Sequence, residues 1–536
     1  MKTLLTNCLH LAKDKKAWLA LVAGLFLTLC YAPFEIWPLT FACLALAIYS
    51  THTHNSGQQY GKLASKRAAK YGFIFGLGWF GAGISWVHVS IATFGGMPLV
   101  ASVLLMVLLC AYLAIYPALA FMFATRFASG PSSYGLLLLS GFAVTEYLRG
   151  VVLTGFPWLS FGYTQTDSPL NLLAPVIGEF GLTLVCIAIG FALYRLLFIR
   201  DFKATTATVL SIALLFAITH YTRNNSYSDK TISALLVQGN IKQHLRFDPS
   251  EFWTTMSKYQ DMTRPHWDAD LIVWPEAAVP EIEALADSYL AGLDSAASFN
   301  NTALITGIVD YQRDTKAIFN TLIVLGNKEQ GDEHGHYQYL GKNRYQKHQL
   351  LPIGEFVPFE DILRPIAPLF DLPMSSFSRG DQVQNNLRAN GLNILPAICY
   401  EIAFADLVRG NYHNDSDILF TVSNDAWFGA SHGPHQHMQI ARMRALELQR
   451  PLIRVTNNGI SGVYDPISQI QVSMPQFEAD TLKVNIKLIQ GDSIYSQYGN
   501  LPVWLFIFSI TIAALIVKFK YKYKYKYKYK YKYNHR

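Results

Sequence analysis

Asn393-Ile394-Leu395-Pro396-Ala397-Ile398-Cys399-Tyr400-Glu401 is the stretch on which the reading of the polar half of this chain turns. The apolar run from Leu392 to Ile398, broken only by Asn393 and Pro396, is short and reads as a buried strand. Cys399 stands at its end, where a strand hands over to a helix and a side chain can face a pocket. The carboxylates of Glu401 and Asp406 follow closely. Taken alone, a free cysteine in this position is more often a structural core residue than a nucleophile. Its surroundings have to decide.

Outward from that strand, residues 222–500 show ordinary globular patterning. Strands are expected at Ile232–Gln238, Leu271–Trp274, Ala303–Val309, Asn320–Leu325, Leu392–Ile398, Ile418–Val422, Leu452–Thr456 and Leu482–Ile486. Helices are expected at about 250–262, 280–298, 402–410 and 435–449. The strands are apolar enough to be covered on both faces, which makes the region α/β or α+β.

Two further segments put reactive side chains at strand ends. Leu271-Ile272-Val273-Trp274-Pro275-Glu276 is a buried strand, a proline stop and a carboxylate. Tyr345-Gln346-Lys347-His348-Gln349-Leu350-Leu351-Pro352-Ile353-Gly354-Glu355 supplies an ammonium and a second carboxylate. Each has a bland alternative: a Glu after a strand-ending proline often starts a helix, and a loop Lys is usually solvated. Together, Glu, Lys and Cys are sufficient parts for acyl transfer. The carboxylate takes the thiol proton, the thiolate attacks a carbonyl, and the ammonium stabilises the resulting oxyanion. An adjacent ammonium also favours the thiolate.

The remainder of the chain is much more apolar. Half of the 536 residues are hydrophobic and only 15% are charged, a balance that suggests a chain partly dissolved in lipid. Apolar runs at 17–31 and 37–49, at roughly 72–93, 98–122, 133–148, 170–198 and 205–221, and at 501–517 give about eight expected spans. The first is read as an uncleaved span, since no small-residue cleavage site precedes a polar start. The domains expected are therefore a seven-span membrane domain at 1–221, a catalytic domain at 222–500, an eighth span at 501–517 and a Lys/Tyr tail at 518–536. Positive charges fix the topology. The flank at Lys2, Lys13, Lys15 and Lys16, the 62–70 loop, Arg126, the Arg195/Arg200/Lys203 cluster and the tail fall on the cytoplasmic side. The 222–500 domain then lies outside. Glu35, His88, Glu146, Arg149 and Glu179 sit in or near spans. Most read as headgroup anchors, whereas Glu146 can pair with Arg149. The alternating Lys-Tyr tail is expected to be disordered and to act as an interfacial anchor.

The net charge of +7 is heavily influenced by that tail, and no zinc-finger, helix-turn-helix or RNA-binding signature supports a nucleic-acid partner. Of the six cysteines, four lie in apolar stretches and Cys8 in the amino-terminal tail, which leaves Cys399 alone in the polar domain. No CxxC pair suggests a zinc or dithiol centre. No metal or organic cofactor is expected.

The order Glu, Lys, Cys in the contexts VWPEAAVP, YQKHQLLPIGEFVP and ICYE resembles the carbon–nitrogen hydrolase or nitrilase superfamily. The multispan frame around it is similar to that of the bacterial apolipoprotein N-acyltransferases. Further matching stretches are YAPFEIWPL (31–39), TGFPWLSFGY (154–163), VQGNI (237–241), RPIAPLFDLPMSSFSRG (364–380), SNDAWFG (423–429) and HQHMQIARMRALELQRP (435–451). The resemblance covers nearly the whole chain up to Val517. It departs at Ile353, where family members often have FGE rather than IGEF, and at Phe247 and Asn458, where Trp and Thr also occur.

That resemblance implies an αββα nitrilase-like sandwich on a bundle of about eight membrane helices. It implies Cys399 as nucleophile, Glu276 as general base and Lys347 as oxyanion stabiliser. Glu355 would orient Lys347 and the substrate amine, and Tyr400, Glu401 and Trp427 would shape the pocket. The acyl donor would be a membrane phospholipid and the acceptor a diacylglyceryl apolipoprotein, with transfer through a Cys thioester in the inner membrane of a bacterium, catalytic domain in the periplasm. A monomer is expected. Phe356–Phe377, apolar and proline-rich, reads as a mobile arm that admits acyl chains, against the alternative of a covered loop. The rival readings are a membrane-tethered amidase that hydrolyses a small amide, and a transporter or scaffold with no chemistry at Cys399.

Overall fold

A computed structural model describes residues 13–52, 59–94, 97–246, 248–328, 335, 337–352, 354–356 and 377–533, with side chains as far as Phe519. Part of the amino-terminal flank with Cys8, most of the arm expected at Phe356–Phe377, and the departures at Phe247 and Ile353 lie outside the described residues. The chain divides into two compact units. One comprises residues up to Ser85, Val103–Thr222 and the stretch from Tyr498 onward. The other comprises Trp86–Ser102 and Arg223–Gln497.

The first unit is helical. Every apolar run expected to span is helical, but only five helices are long and apolar enough to cross a bilayer among the described residues: Leu99–Phe127, Pro131–Thr154, Pro169–Ile199, Phe202–Thr222 and Leu501–Phe519. Lys62–Gly83 and Val87–Thr93 make a sixth if the pair, bent by 58°, is counted as one. The first two runs fold as the shorter helices Lys15–Phe26 and Leu39–Thr51. Small residues let the first of these close on Lys62–Gly83. A Cβ on Gly24 would lie 2.2 Å from Phe75 O, and one on Gly78 would lie 2.4 Å from Leu21 O, so backbone touches backbone there. Glu146 does pair with Arg149, and both are buried. The guanidinium also donates to Phe156 O (2.6 Å), Trp158 O (2.7 Å) and Ser160 Oγ (2.9 Å), so the start of the TGFPWLSFGY stretch is wound around one cation. The Lys-Tyr repeat differs from the disorder expected of it. The last helix runs from Leu501 to Tyr533. The repeat contains neither Gly nor Pro, Lys is a good helix former, and the preceding apolar turns supply the nucleus.

The second unit is built on two sheets. The first holds β1 (Ser226–Gln238), β2 (Leu271–Val273), β3 (Val279–Ile282), β4 (Ala303–Gln312), β5 (Ala317–Leu325), β6 (Arg344–Gln346) and β13 (Asp480–Gln490). Their order is β13-β1-β2-β4-β5-β6, with β3 also on β4. The second holds β7 (Leu387–Ala389), β8 (Leu392–Ile398), β9 (Ile418–Ser423), β10 (Leu452–Thr456), β11 (Gly462–Asp465) and β12 (Ile470–Ser473), in the order β12-β11-β10-β9-β8-β7.

Alternation along the strands explains why they are apolar on both faces. Ile232, Ala234 and Leu236 of β1, Leu271 and Val273 of β2, and Ala303 and Ile305 of β4 meet Ile394, Ile398, Phe420, Val422, Ile453 and Val455 of the second sheet in one core. The intervening Leu235, Val237, Ile272, Leu304 and Ile308 face Met256 and Tyr259 of helix Phe252–Thr263 and Leu290, Leu293 and Ala297 of helix Asp287–Phe299. Helix Gly433–Leu448 packs on β10 and β11 of the second sheet. The layers are therefore αββα. At about 1.5–3 kcal/mol for each large side chain removed from water, this double core is the main source of the unit's stability.

All eight expected strands are present, and β3, β6, β7, β11 and β12, each of three or four residues, are additional. The helix expected from 280 begins at Asp287 because β3 and a short 3₁₀ turn at Glu283–Leu285 occupy its first part.

Candidate active site

The parallel strands of both sheets end at one edge, and the reactive side chains stand just beyond those ends. Glu276 follows β2 across Pro275. The turn is tight, with Ala277 in the left-handed region at φ 45°. Gly307 of β4 passes directly beneath it: a Cβ there would lie 2.3 Å from Ala277 N and 2.9 Å from Glu276 Cα. Lys347 is the residue after β6, its amide donating to Asn320 O of β5 (2.9 Å). Cys399 is the residue after β8 and takes φ 54°, a sterically costly value for a side chain bearing a Cβ. Two strained non-glycine positions at one site, at or next to a candidate catalytic residue, fit a geometry held for chemistry rather than for stability.

These residues are brought together and are nearly dry. Lys347 Nζ donates to Glu355 Oε1 at 2.8 Å and lies 3.5 Å from Glu276 Oε1. Lys347 is 1% exposed and Glu276 7%. Asn320 Nδ2 donates to both carboxylates, to Glu276 Oε1 at 2.7 Å and to Glu355 Oε1 at 3.3 Å. Glu276 Oε2 accepts from the Asn424 amide (2.8 Å), and Glu355 Oε2 from the Leu351 amide (2.8 Å). Arg246 Nη2 donates to the Glu276 carbonyl at 3.0 Å.

The electrostatics follow from that arrangement. Burial by itself works against a charged Glu276, but the Lys347 and Arg246 cations and the two hydrogen bonds hold its carboxyl below the usual range. Burial likewise opposes the Lys347 charge, and Glu355, Glu276 and the Cys399 sulfur more than offset it, raising its pKa. Burial and the Glu276 charge push the Cys399 thiol up to about 12, against the pull of Lys347 and a hydrogen bond from Ser423. The resting site therefore holds a carboxylate, an ammonium and a neutral thiol.

Glu401 is part of the frame. It is fully buried, and its two oxygens take four donors. Oε1 accepts from the His348 and Gln349 amides (2.7 and 3.1 Å), Oε2 from the Ile398 amide and Tyr345 Oη (2.7 and 3.1 Å). It thus ties the segment after Lys347 to the last residue before Cys399. Burial raises its pKa even against those donors. Glu401→Gln turns one acceptor into a donor that faces existing donors, a change worth about 1.5–3 kcal/mol. The expected result is a lowered unfolding temperature with slower single-turnover acylation of Cys399, both measurable on the purified variant. Tyr400 is buried edge-on against Phe404, their ring centroids 5.0 Å apart. Trp427 is half-buried, and its carbonyl accepts from Ser90 Oγ at 2.7 Å. Phe377 N donates to the Glu355 main-chain carbonyl (3.0 Å), so the described end of the apolar stretch returns to the backbone of the residue whose side chain grips Lys347.

Asn320, Arg246, Ser423, Asn424 and the buried trio Asp425, His437 and Arg454 were not singled out by sequence reasoning. The motifs SNDAWFG and HQHMQIARM hold four of them, but a motif carries no geometry.

The family description "Carbon-nitrogen hydrolase" matches residues 234–494, and "Apolipoprotein N-acyltransferase N-terminal domain" matches residues 23–192. The apolipoprotein N-acyltransferase of Photobacterium profundum is 47% identical over 503 residues, covering 93% of this chain and 94% of its own. The chain belongs to the apolipoprotein N-acyltransferase family. The enzyme of that name from Vibrio vulnificus is 46% identical over 497 residues, 92% of this chain and 95% of its own. A Saccharomyces cerevisiae member of branch 10 of the nitrilase superfamily is similar at 16% identity and a TM-score of 0.34, over 52% of this chain and 98% of that one. The carbon–nitrogen hydrolase match takes in Glu276, Lys347, Glu355 and Cys399.

Proposed function

We propose that the protein moves an acyl chain from a membrane phospholipid, through a thioester on Cys399, to the α-amine of the diacylglyceryl-cysteine of apolipoproteins. The observation that carries this reading is a buried ammonium, Lys347, held between two carboxylates beside a strained cysteine, in a chain of this family.

In the first half-reaction Glu276 takes the thiol proton as sulfur bonds to the ester carbonyl carbon. The negative charge that collects on the carbonyl oxygen is met by Lys347, which Glu355 holds in place. The carbon–oxygen bond then breaks, and Glu276 returns the proton to the departing lysophospholipid. In the second, the acceptor amine attacks the thioester, gives its proton to Glu276, and the sulfur leaves. Because burial and the Glu276 charge hold the thiol above its ordinary range and so keep it protonated in the resting site, proton removal and sulfur attack proceed together rather than through a standing thiolate. Side chains alone complete both steps.

Both substrates are lipids, which accounts for a catalytic unit flanked in sequence by helices 202–222 and 501–533. By the distribution of basic residues, that unit lies on the periplasmic face of the inner membrane, with both termini cytoplasmic.

The test is discharge of a preformed acyl adduct. With a diacylglyceryl-cysteine peptide the adduct is expected to disappear as N-acyl peptide forms, while in water alone it persists. Discharge at the same rate without the peptide would make the protein a hydrolase instead.

A further inference from the structure

The hydroxyl of Ser423 has no part in the steps above, yet it touches the reacting atom. β8 and β9 run parallel with Ile398 opposite Val422, so the next pair along the ladder is Cys399 and Ser423. Register alone brings Ser423 Oγ to 3.3 Å from Cys399 Sγ. The same Oγ lies 2.7 Å from Asp425 Oδ1. A serine has one hydroxyl proton, and here it has two acceptors.

The second acceptor is rigidly held. Arg454 Nη2 donates to Asp425 Oδ2 at 2.8 Å, and His437 Nδ1 lies 3.2 Å from Oδ1. The tautomer of His437 follows from its partners. Nε2 is 3.0 Å from the Cys399 carbonyl, which can only accept, so Nε2 carries the hydrogen, and Nδ1 accepts from Arg454 Nη2 at 3.0 Å. Burial and the Arg454 charge lower the pKa of His437 and keep it neutral. Burial alone would raise the Asp425 carboxyl, but the Arg454 charge and the Ser423 hydrogen bond hold it well below the usual range. Asp425 therefore accepts a hydrogen bond and does not take a proton. Ser423, Asp425, His437 and Arg454 are all 1% exposed or less, so water does not compete for the hydroxyl.

We propose that Ser423 is a catalytic hydrogen-bond donor whose hydroxyl turns from Asp425 to Cys399 Sγ whenever the sulfur carries negative charge. This rests on the acyl-transfer reading. The largest demand comes when the sulfur leaves. The amine nitrogen bonds to the acyl carbon, the S–C bond breaks with its electron pair going to sulfur, and the amine proton passes to Glu276, which returns it to sulfur. The Ser423 proton stays on Oγ throughout and is only shared. While the sulfur is neutral the hydroxyl points to Asp425, which keeps it aligned in a dry site.

The test compares Ser423→Ala and Ser423→Thr with the wild type in the full-length, detergent-solubilised protein. Alkylation of Cys399 by iodoacetamide is followed by peptide mass mapping between pH 7 and 9, and discharge of a preformed acyl adduct to a diacylglyceryl-cysteine peptide is followed beside it. With Ala, both rates are expected to fall roughly tenfold or more, the usual size of a lost hydrogen bond to a charged group, with KM for the peptide unchanged. Thr keeps the hydroxyl and restores both. Unchanged alkylation in a folded Ala variant, or a Thr variant as slow as Ala, would overturn the proposal. Alkylation needs no acyl chemistry. Failure of the wild type to form any adduct would therefore count against the acyl-transfer reading alone, while the alkylation rates still judge Ser423.

Discussion

Cys399→Ala is expected to carry no acyl adduct after incubation with phospholipid vesicles, while the wild type gains one acyl mass that hydroxylamine removes. Turnover should fall by roughly 10⁴-fold or more, the scale seen when a covalent nucleophile is removed. No neighbour can substitute. The nearest hydroxyl, Ser423, leans on an Asp425 that Arg454 keeps charged, and that carboxylate is a poor proton acceptor. The other described cysteines, at 30, 43, 110 and 186, are buried in the helical unit. The change itself is small, and alanine tolerates the left-handed backbone at 399 no worse than cysteine does. The unfolding temperature should therefore stay close to that of the wild type, which separates lost chemistry from lost fold. Intact mass with peptide mapping reads the outcome. An adduct of the same mass and yield on the Ala variant would remove Cys399 from the mechanism.

The strand before Cys399 was legible because seven residues of near-continuous apolarity leave little else for the chain to do there, and the observed strand has the bounds the sequence suggests. Leu452–Thr456 behaves the same way. Short strands such as Arg344–Gln346 and Leu387–Ala389 carry no such signal: three residues cannot establish a period, and they exist because a longer neighbour offers a ladder. The Lys-Tyr repeat misleads for a related reason. Alternation looks like a strand or a repelling coil, but helix formation upstream decides its local state. At the site, Glu276, Lys347 and Cys399 stand out because each follows a strand and carries unusual chemistry. Asn320, inside β5, and Ser423, at the end of β9, do not, being polar strand residues of a kind that many chains have by the dozen. Their roles come from register, Ser423 through the alignment of β8 with β9, and register depends on pairings distant in sequence. Glu401 sits two residues from the nucleophile, yet its four donors show it bracing the backbone.

Glu276→Gln is expected to leave a folded protein in which thioester formation is slowed by roughly 10²- to 10⁴-fold, the range for loss of a general base. Gln preserves the shape. Lys347 keeps Glu355 as partner at 2.8 Å, and only one of the donors from Asn320 and Asn424 is left facing an amide NH₂. The wild-type pH dependence supplies the sharper test. A carboxyl whose pKa is lowered in the folded protein stays charged as pH falls, until the pH reaches that lowered value. Glu276 is held below 4.5, so thioester formation should be nearly flat between pH 5 and 8 and decline only below that window. Transfer to the acceptor should not be flat. The α-amine attacks only when neutral, and with an ordinary pKa of about 7.7–8.0 it makes the second half-reaction climb through neutrality. Single-turnover acylation and adduct discharge, each measured from pH 5 to 9, should therefore diverge, one level and the other rising. An acid limb near pH 6–7 in the acylation step would assign the base to a group of higher pKa than Glu276.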